Sequence, residues 1–292
     1  NQLFVDNVRK TYIAPPAGGF GDLTTGYFSY DTLGTPDTIY VNIGGDNPGD
    51  YHETFIGARL YGISLLNSDS ITVEGFKARR AVENGIYVRG DGDSLDIKAN
   101  TVLNCIATEN AKRGIHLRNC VGCTLEANTT HTNAHHGIYL TIDSSSTLLR
   151  NVSYANNDPY KPGILGDAAG FKIGDNGSVY DVRYTTVDYN VAYDNEDSGF
   201  NVKGALRTLL RRNQSYNNGD HGFDTLVSDS TVLLNNVSAR NHHDGISVEN
   251  DANHVVVLNN ILWHNAVNPS TLEAGSDPRA RELFFGDSTK ST

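Results

Sequence analysis

A short phrase returns eight times along this chain: glycine, then Ile or Phe, then a variable residue, then in seven of the eight an apolar one. It starts at Gly62, Gly85, Gly114, Gly137, Gly170, Gly199, Gly222 and Gly245, at spacings of 23, 29, 23, 33, 29, 23 and 23 residues. The base period is therefore 23, with insertions of 6, 10 and 6. A second feature is locked to the first. Asparagines five apart occur at 128/133, 151/156, 190/195, 213/218, 236/241 and 260/265, and Cys105 with Asn110 fill the same slots one period earlier. Each period then reads as three short alternating strands: the glycine strand, one ending at the first Asn, and one between the two Asn.

One such turn cannot bury its apolar side alone, whereas stacked turns share a continuous core. Asn tolerates the left-handed backbone that a sharp corner requires, so the paired Asn are expected at corners in that conformation. Their side chains can also hydrogen-bond from turn to turn. The 31 Asn and 29 Gly argue against a helical protein. The pattern resembles the right-handed parallel β-helix of pectate lyases and related carbohydrate-active proteins, which implies an all-β solenoid of about 23-residue rungs over residues 55–268. Residues 1–54 lack the repeat and read as irregular strands and loops packed on the helix, with Leu3-Phe-Val5 and Thr38-Ile-Tyr-Val41 as strands. Residues 269–292 read as a polar C-terminal tail. Three cysteines make no disulfide framework, and the lone Cys120-Val-Gly-Cys123 lacks the second pair a zinc site needs.

In the glycine strand the Ile or Phe points inward, so the next residue points outward. The outward column is Ser64, Tyr87, His116, Tyr139, Lys172, Asn201, Asp224 and Ser247. Two residues on lies a second column with Arg89, Arg118, Thr141, Gly174, Lys203, Leu226 and Glu249. The chain carries a net charge of −11, which disfavours nucleic acid and anionic membrane as partners, and no apolar run is long enough to span a bilayer. Yet this face, expected to be exposed, collects Arg89, His116, Arg118, Lys172 and Lys203. Such a strip suits an extended acidic polysaccharide, with Arg and Lys on carboxylates and Tyr87 and Tyr139 against sugar faces. Asn201 and Asp224 complete the expected binding residues. The insertions within 156–167 and 174–180 bracket Lys172, as groove walls would.

Acidic polysaccharides are cleaved by β-elimination when a base removes the proton beside the uronate carboxylate and a cation stabilises the enolate. Lys172 and Lys203, on neighbouring rungs and roughly 8 Å apart, are the candidate bases. Asp167, Asp194 and Asp197, in turns along one edge, are candidate Ca²⁺ ligands. At Asp167-Ala-Ala-Gly-Phe-Lys172 and Asp194-Asn-Glu-Asp-Ser-Gly-Phe200 the chain resembles family 9 polysaccharide lyases. That resemblance implies a Lys base and a Ca²⁺ held by several Asp. His131, His135, His136, His242 and His243 read as fillers of polar turns. Two other functions remain open: a glycoside hydrolase with paired carboxylates near Asp224, and a non-catalytic glycan-binding β-helix. The Asp-Pro-His pattern of uronate C5-epimerases is absent. The absence of methionine and the acidic, Asn-rich composition suggest a processed bacterial secreted protein, expected to act as a monomer.

Overall fold

The computed structural model describes residues 59–91, 96–158, 167–174, 181–266 and 281–286 in full. It adds the backbone of strands Leu3–Val5, Val8–Tyr12, Tyr27–Asp31, Thr38–Val41 and Thr54–Ile56. These five strands form one sheet, antiparallel except where Val8–Tyr12 meets Tyr27–Asp31. The expected packing of residues 1–54 on the helix, the three insertions and most of the tail lie outside the described residues. Among the described residues no helix is long and apolar enough to cross a membrane.

From Tyr61 onward the chain is a right-handed parallel β-helix of three sheets. Strands of the glycine sheet pair in register across every insertion: Ile63 with Ile86, Ile115, Ile138, Phe171, Phe200, Phe223 and Ile246 in turn. The other two sheets each hold eight strands, from Thr72–Glu74 to Val256–Leu258 and from Lys77–Arg79 to Ile261–Trp263. Leu283–Phe285, inside the expected tail, pairs with Ile246–Glu249 and carries the glycine sheet beyond residue 268.

The core explains the repeat. Ile86 to Ile246 are buried in one column, with Phe171, Phe200 and Phe223 stacked at centroid distances of 4.6 and 4.9 Å. Val102, Leu125, Leu148, Val187, Leu210 and Leu233 form the facing column. The third sheet turns in small residues, among them Ala107, Ser153, Ala192, Ser215 and Ser238, until Leu262 on its last strand. The strand glycines abut these: a Cβ at Gly137, Gly199 or Gly222 would collide with Ser153, Ser215 or Ser238 Oγ. Glycine recurs there for lack of room, and the serine hydroxyls donate to glycine carbonyls at 2.8 Å.

The Asn pairs form two ladders of side-chain bonds. One runs Asn128, Asn151, Asn190, Asn213, Asn236, Asn260, with each Nδ2 donating to the next Oδ1 at 3.0–3.1 Å. The other runs from Asn110 to Asn265 at 2.8–3.0 Å. Cys105 occupies the first ladder's earliest rung, its amide donating to Asn128 Oδ1 at 2.9 Å. The left-handed residue is not the ladder Asn, as the sequence reading expects, but the residue before it: Ala127, Arg150, Tyr189 and Arg212 have φ of 52–56°. That conformation costs roughly 1–2 kcal/mol for a non-glycine residue, which a buried Asn with several satisfied bonds can offset. Cys120 and Cys123 are bonded to each other, so the chain has one local disulfide where none was expected, and Cys105 is free and buried.

Candidate active site

The outward column is assembled as the alternation predicts. Ser64, Tyr87, His116, Tyr139, Lys172, Asn201, Asp224 and Ser247 are consecutive register partners. Ser64 is exposed, but from Tyr87 to Ser247 the column is buried. Lys172 is 5% accessible and Asp224 4%. The face is a buried polar strip, which the alternation rule cannot reveal because it separates core from non-core and says nothing about what lies above.

At its N-terminal end the strip is aromatic and basic. His116 is stacked between Tyr87 and Tyr139, with centroids at 4.8 and 4.6 Å, and the Arg113 guanidinium lies 4.4 Å from the Tyr139 ring centroid. Further along, Lys172 Nζ donates to Asn201 Oδ1 at 2.8 Å, and Asn201 Nδ2 donates to Asp224 Oδ2 at 2.8 Å. Among the described residues, Asp224 Oδ1 is buried with no hydrogen-bond partner. At the C-terminal end Asp220 accepts from Ser198 Oγ at 3.1 Å and lies 3.3 Å from His243 Nδ1.

Burial reverses the charge that the sequence suggests for this end. It pushes the Asp224 carboxyl well above the carboxylate range, with Asp220, Glu249 and Asp197 adding repulsion. Burial, then Asp220, pushes Asp197 up to about 8, while Lys172 opposes. Burial lowers His221 to about 4, and holds His116 and His136 well below the usual imidazole value, with nearby cations assisting. The strip therefore sets carboxyls biased toward the protonated form and neutral imidazoles beside Arg113 and Lys172, inside an acidic protein.

The remaining predicted residues scatter. Arg89 and Arg118 pair in the second column, Arg89 with 38% of its side chain accessible. Lys203 pairs with Leu226 in that column, half-buried and outside the relay. Asp197 is in the strip, and Asp167 is exposed, 3.7 Å from His135 Nε2. Asp194 sits at a left-handed corner, exposed, where it acts on Tyr193 and Tyr216. Asp167 lies near enough to Asp197 to repel it, but Asp194 does not join them, because the ladder Asn195 turns inward between Asp194 and Asp197. The set does not fit the ion and no step is derived through it.

Three other groups bring possible ligand atoms within 4.8 Å of one another: His135, His136 and Asp167; Asp220, His221 and His243; and His221, Asp224 and Glu249. Each contains a histidine whose Nδ1 already accepts a backbone N–H, from Ala169 to His136 at 3.1 Å and from Asp244 to His221 at 3.2 Å. The neutral ring then keeps its proton on Nε2 and offers no lone pair. The sequence reading missed Arg113, His136 and His221 as site residues. They are signalled by the same glycine alignment, being the residue immediately before each strand glycine.

A family model described as right handed beta helix region matches residues 52–181 and 169–281. No curated protein sequence matches the chain. Among solved structures, XylC in complex with xylose is similar at TM-score 0.64 and 14% identity, over 94% of this chain and 53% of that one. The periplasmic alginate epimerase AlgG gives 0.57 and 14%, over 69% and 48%. The mannuronan C-5 epimerase AlgE6 A-module of Azotobacter vinelandii gives 0.52 and 18%, over 65% and 45%. The chain thus spans about half the length of these proteins, and the likeness is one of fold. Through both halves of its solenoid, the chain belongs to the right-handed β-helix family.

Proposed function

We propose that the protein is an enzyme that cleaves an acidic, uronate-containing polysaccharide by β-elimination. The observation that carries this reading is the buried relay Lys172–Asn201–Asp224, whose terminal carboxyl burial biases strongly toward its protonated form. The polymer lies along the strip with a uronate carboxylate at the relay. Lys172 Nζ, as the free amine, takes the proton from C5. The electron pair moves into a C4–C5 double bond, the C4–O4 bond breaks, and the proton taken by Lys172 is available to the departing oxygen. Charge developing on the uronate carboxylate is met by hydrogen bonds from the Asp224 and Asp197 carboxylic acids, a role that a carboxyl kept neutral by an apolar site can fill. A polysaccharide substrate and the Cys120–Cys123 bond both favour an oxidising compartment outside the cytoplasm.

A second reading has its own support. Carboxylate oxygens of Asp224 and Glu249 lie within 4.8 Å of each other, near the separation of about 5–5.5 Å used for retaining glycoside hydrolysis.

The test incubates the protein with pectate, alginate and glycosaminoglycans, with and without EDTA. It follows ultraviolet absorbance of the unsaturated uronate, reducing ends, and C5 configuration by NMR. Absorbance that rises equally in EDTA is expected. Reducing ends without absorbance would replace elimination with hydrolysis. Inversion at C5 without cleavage would turn the same proton removal into epimerisation. Binding with no change in the polymer would make the chain a glycan-binding module.

A further inference from the structure

From Gly114 on, the residue before each strand glycine and its counterpart Arg281 on the last rung form a column of their own: Arg113, His136, Ala169, Ser198, His221, Asp244 and Arg281. Three of its neighbouring pairs repeat one contact. The backbone N–H of one member is taken by the side chain of the member a rung earlier: Ala169 N–H by His136 Nδ1 at 3.1 Å, Asp244 N–H by His221 Nδ1 at 3.2 Å, and Arg281 N–H by Asp244 Oδ1 at 3.2 Å. The amide needs an acceptor in a buried setting, so a histidine at this position must present its lone pair on Nδ1. Its proton is then on Nε2. A second proton on Nδ1 would set two N–H groups against each other.

We propose that His136 and His221 are substrate-binding donors, fixed by the fold as neutral Nε2–H groups that each hold a sugar oxygen. They bracket the relay on one edge of the strip. His136 lies one rung before Lys172, and His221 shares the rung of Asp224. Both are nearly inaccessible, at 2% and 8%. His221 Nε2 is 3.5 Å from Asp220 Oδ1, longer than an ordinary hydrogen bond, so a substrate oxygen can displace that contact. Neutral imidazoles also bind a polyanion's hydroxyls at neutral pH without becoming bases that compete with Lys172. The lowered imidazole values at both positions agree with this form.

The identity of the sugar oxygens as uronate oxygens rests on the proposed function; the donor assignment does not. Two substitutions separate structural from binding roles. Asn keeps an acceptor where Nδ1 stands, and Gln keeps a donor where Nε2 stands. The experiment records ¹⁵N spectra of the histidines, thermal unfolding, and calorimetric titration with oligogalacturonate, oligomannuronate and neutral xylo-oligosaccharide. We expect both rings to remain Nε2–H tautomers between pH about 5 and about 8. His136→Asn and His221→Asn should keep the wild-type Tm and lose ~10-fold in affinity each, the worth of about one hydrogen bond. The Gln variants should keep affinity and lose stability. A ring that carries its proton on Nδ1 or titrates in that range, or Asn variants that bind like wild type, would overturn the assignment. If wild type binds only the neutral oligomer and the Asn variants weaken that binding, the acidic substrate falls and the donors stand. If wild type binds none of the three, the donors have no ligand and the assignment fails.

Discussion

Lys172 Nζ donates to Asn201 Oδ1 at 2.8 Å, and this contact orients the rest of the relay. Because the Lys172 amino group donates here, the Asn201 carbonyl faces it and the amide NH₂ faces Asp224. Asp224 Oδ2 accepts that bond at 2.8 Å, which leaves Oδ1 as the oxygen available to substrate.

The two lysines should therefore differ. Lys172→Ala is expected to lower turnover on a uronate polymer by ~10²-fold or more, the share of a general base. It should also lower Tm, because the buried Asn201 carbonyl is left unsatisfied at a cost of about 1–3 kcal/mol. Lys203→Ala, half-buried and outside the relay, should stay within a few-fold of wild type. Initial rates of both variants on one substrate decide the matter; equal losses would remove the special place of Lys172.

Stability should fall as the pH rises toward about 8. Asp143 is buried beside Ser146, which donates to it at 2.8 Å, and burial pushes its carboxyl to about 7. Asp197 rises to about 8. In the unfolded chain both ionise near 3.8, so above that value the folded state binds more protons and loses stability until each folded value is passed. His221, lowered to about 4 from 6.5, acts oppositely and only below 6.5. Urea unfolding between pH 6.5 and 8 thus isolates the carboxyls. Asp197→Asn should flatten the decline there, and an unchanged slope would contradict it.

The ladders make a graded prediction. Asn151 accepts from the Asn128 amide and Nδ2 at 3.0 Å each and donates to Leu125 O at 2.8 Å and Asn190 Oδ1 at 3.0 Å. Asn151→Ala should cost about 2–3 kcal/mol, since it leaves buried backbone groups unpaired. Cys105→Asn should be neutral or stabilising, because it extends the ladder by a rung whose acceptor, Asn128 Oδ1, is already in place. Chemical denaturation of the two variants measures both.

Four glycosylation sequons coincide with ladder positions: Asn128-Thr-Thr130, Asn151-Val-Ser153, Asn213-Gln-Ser215 and Asn236-Val-Ser238. All four Asn are buried and bonded between rungs. A glycan attached before folding could not be accommodated. Secretion from yeast should yield little folded protein, and an inhibitor of N-glycosylation should restore it. Equal yields with and without the inhibitor would show that the ladder forms before the sequons are reached.

The 23-residue period, the three strands of a rung and the membership of the outward column were all legible in the amino-acid order. Each depends on local alternation repeated at a fixed interval, so Tyr87, His116, Tyr139, Lys172, Asn201 and Asp224 could be aligned without coordinates. What those groups are chemically was decided elsewhere. Burial raised the Asp224 and Asp197 carboxyls toward the acid form. The inward turn of Asn195 separated Asp194 from Asp197, three residues apart in sequence. The tautomers of His136 and His221 were set by amides 33 and 23 residues away. Periodicity places side chains; solvent exclusion and the partner on the next rung determine their charge and their protons, and both exist only once the rungs are stacked.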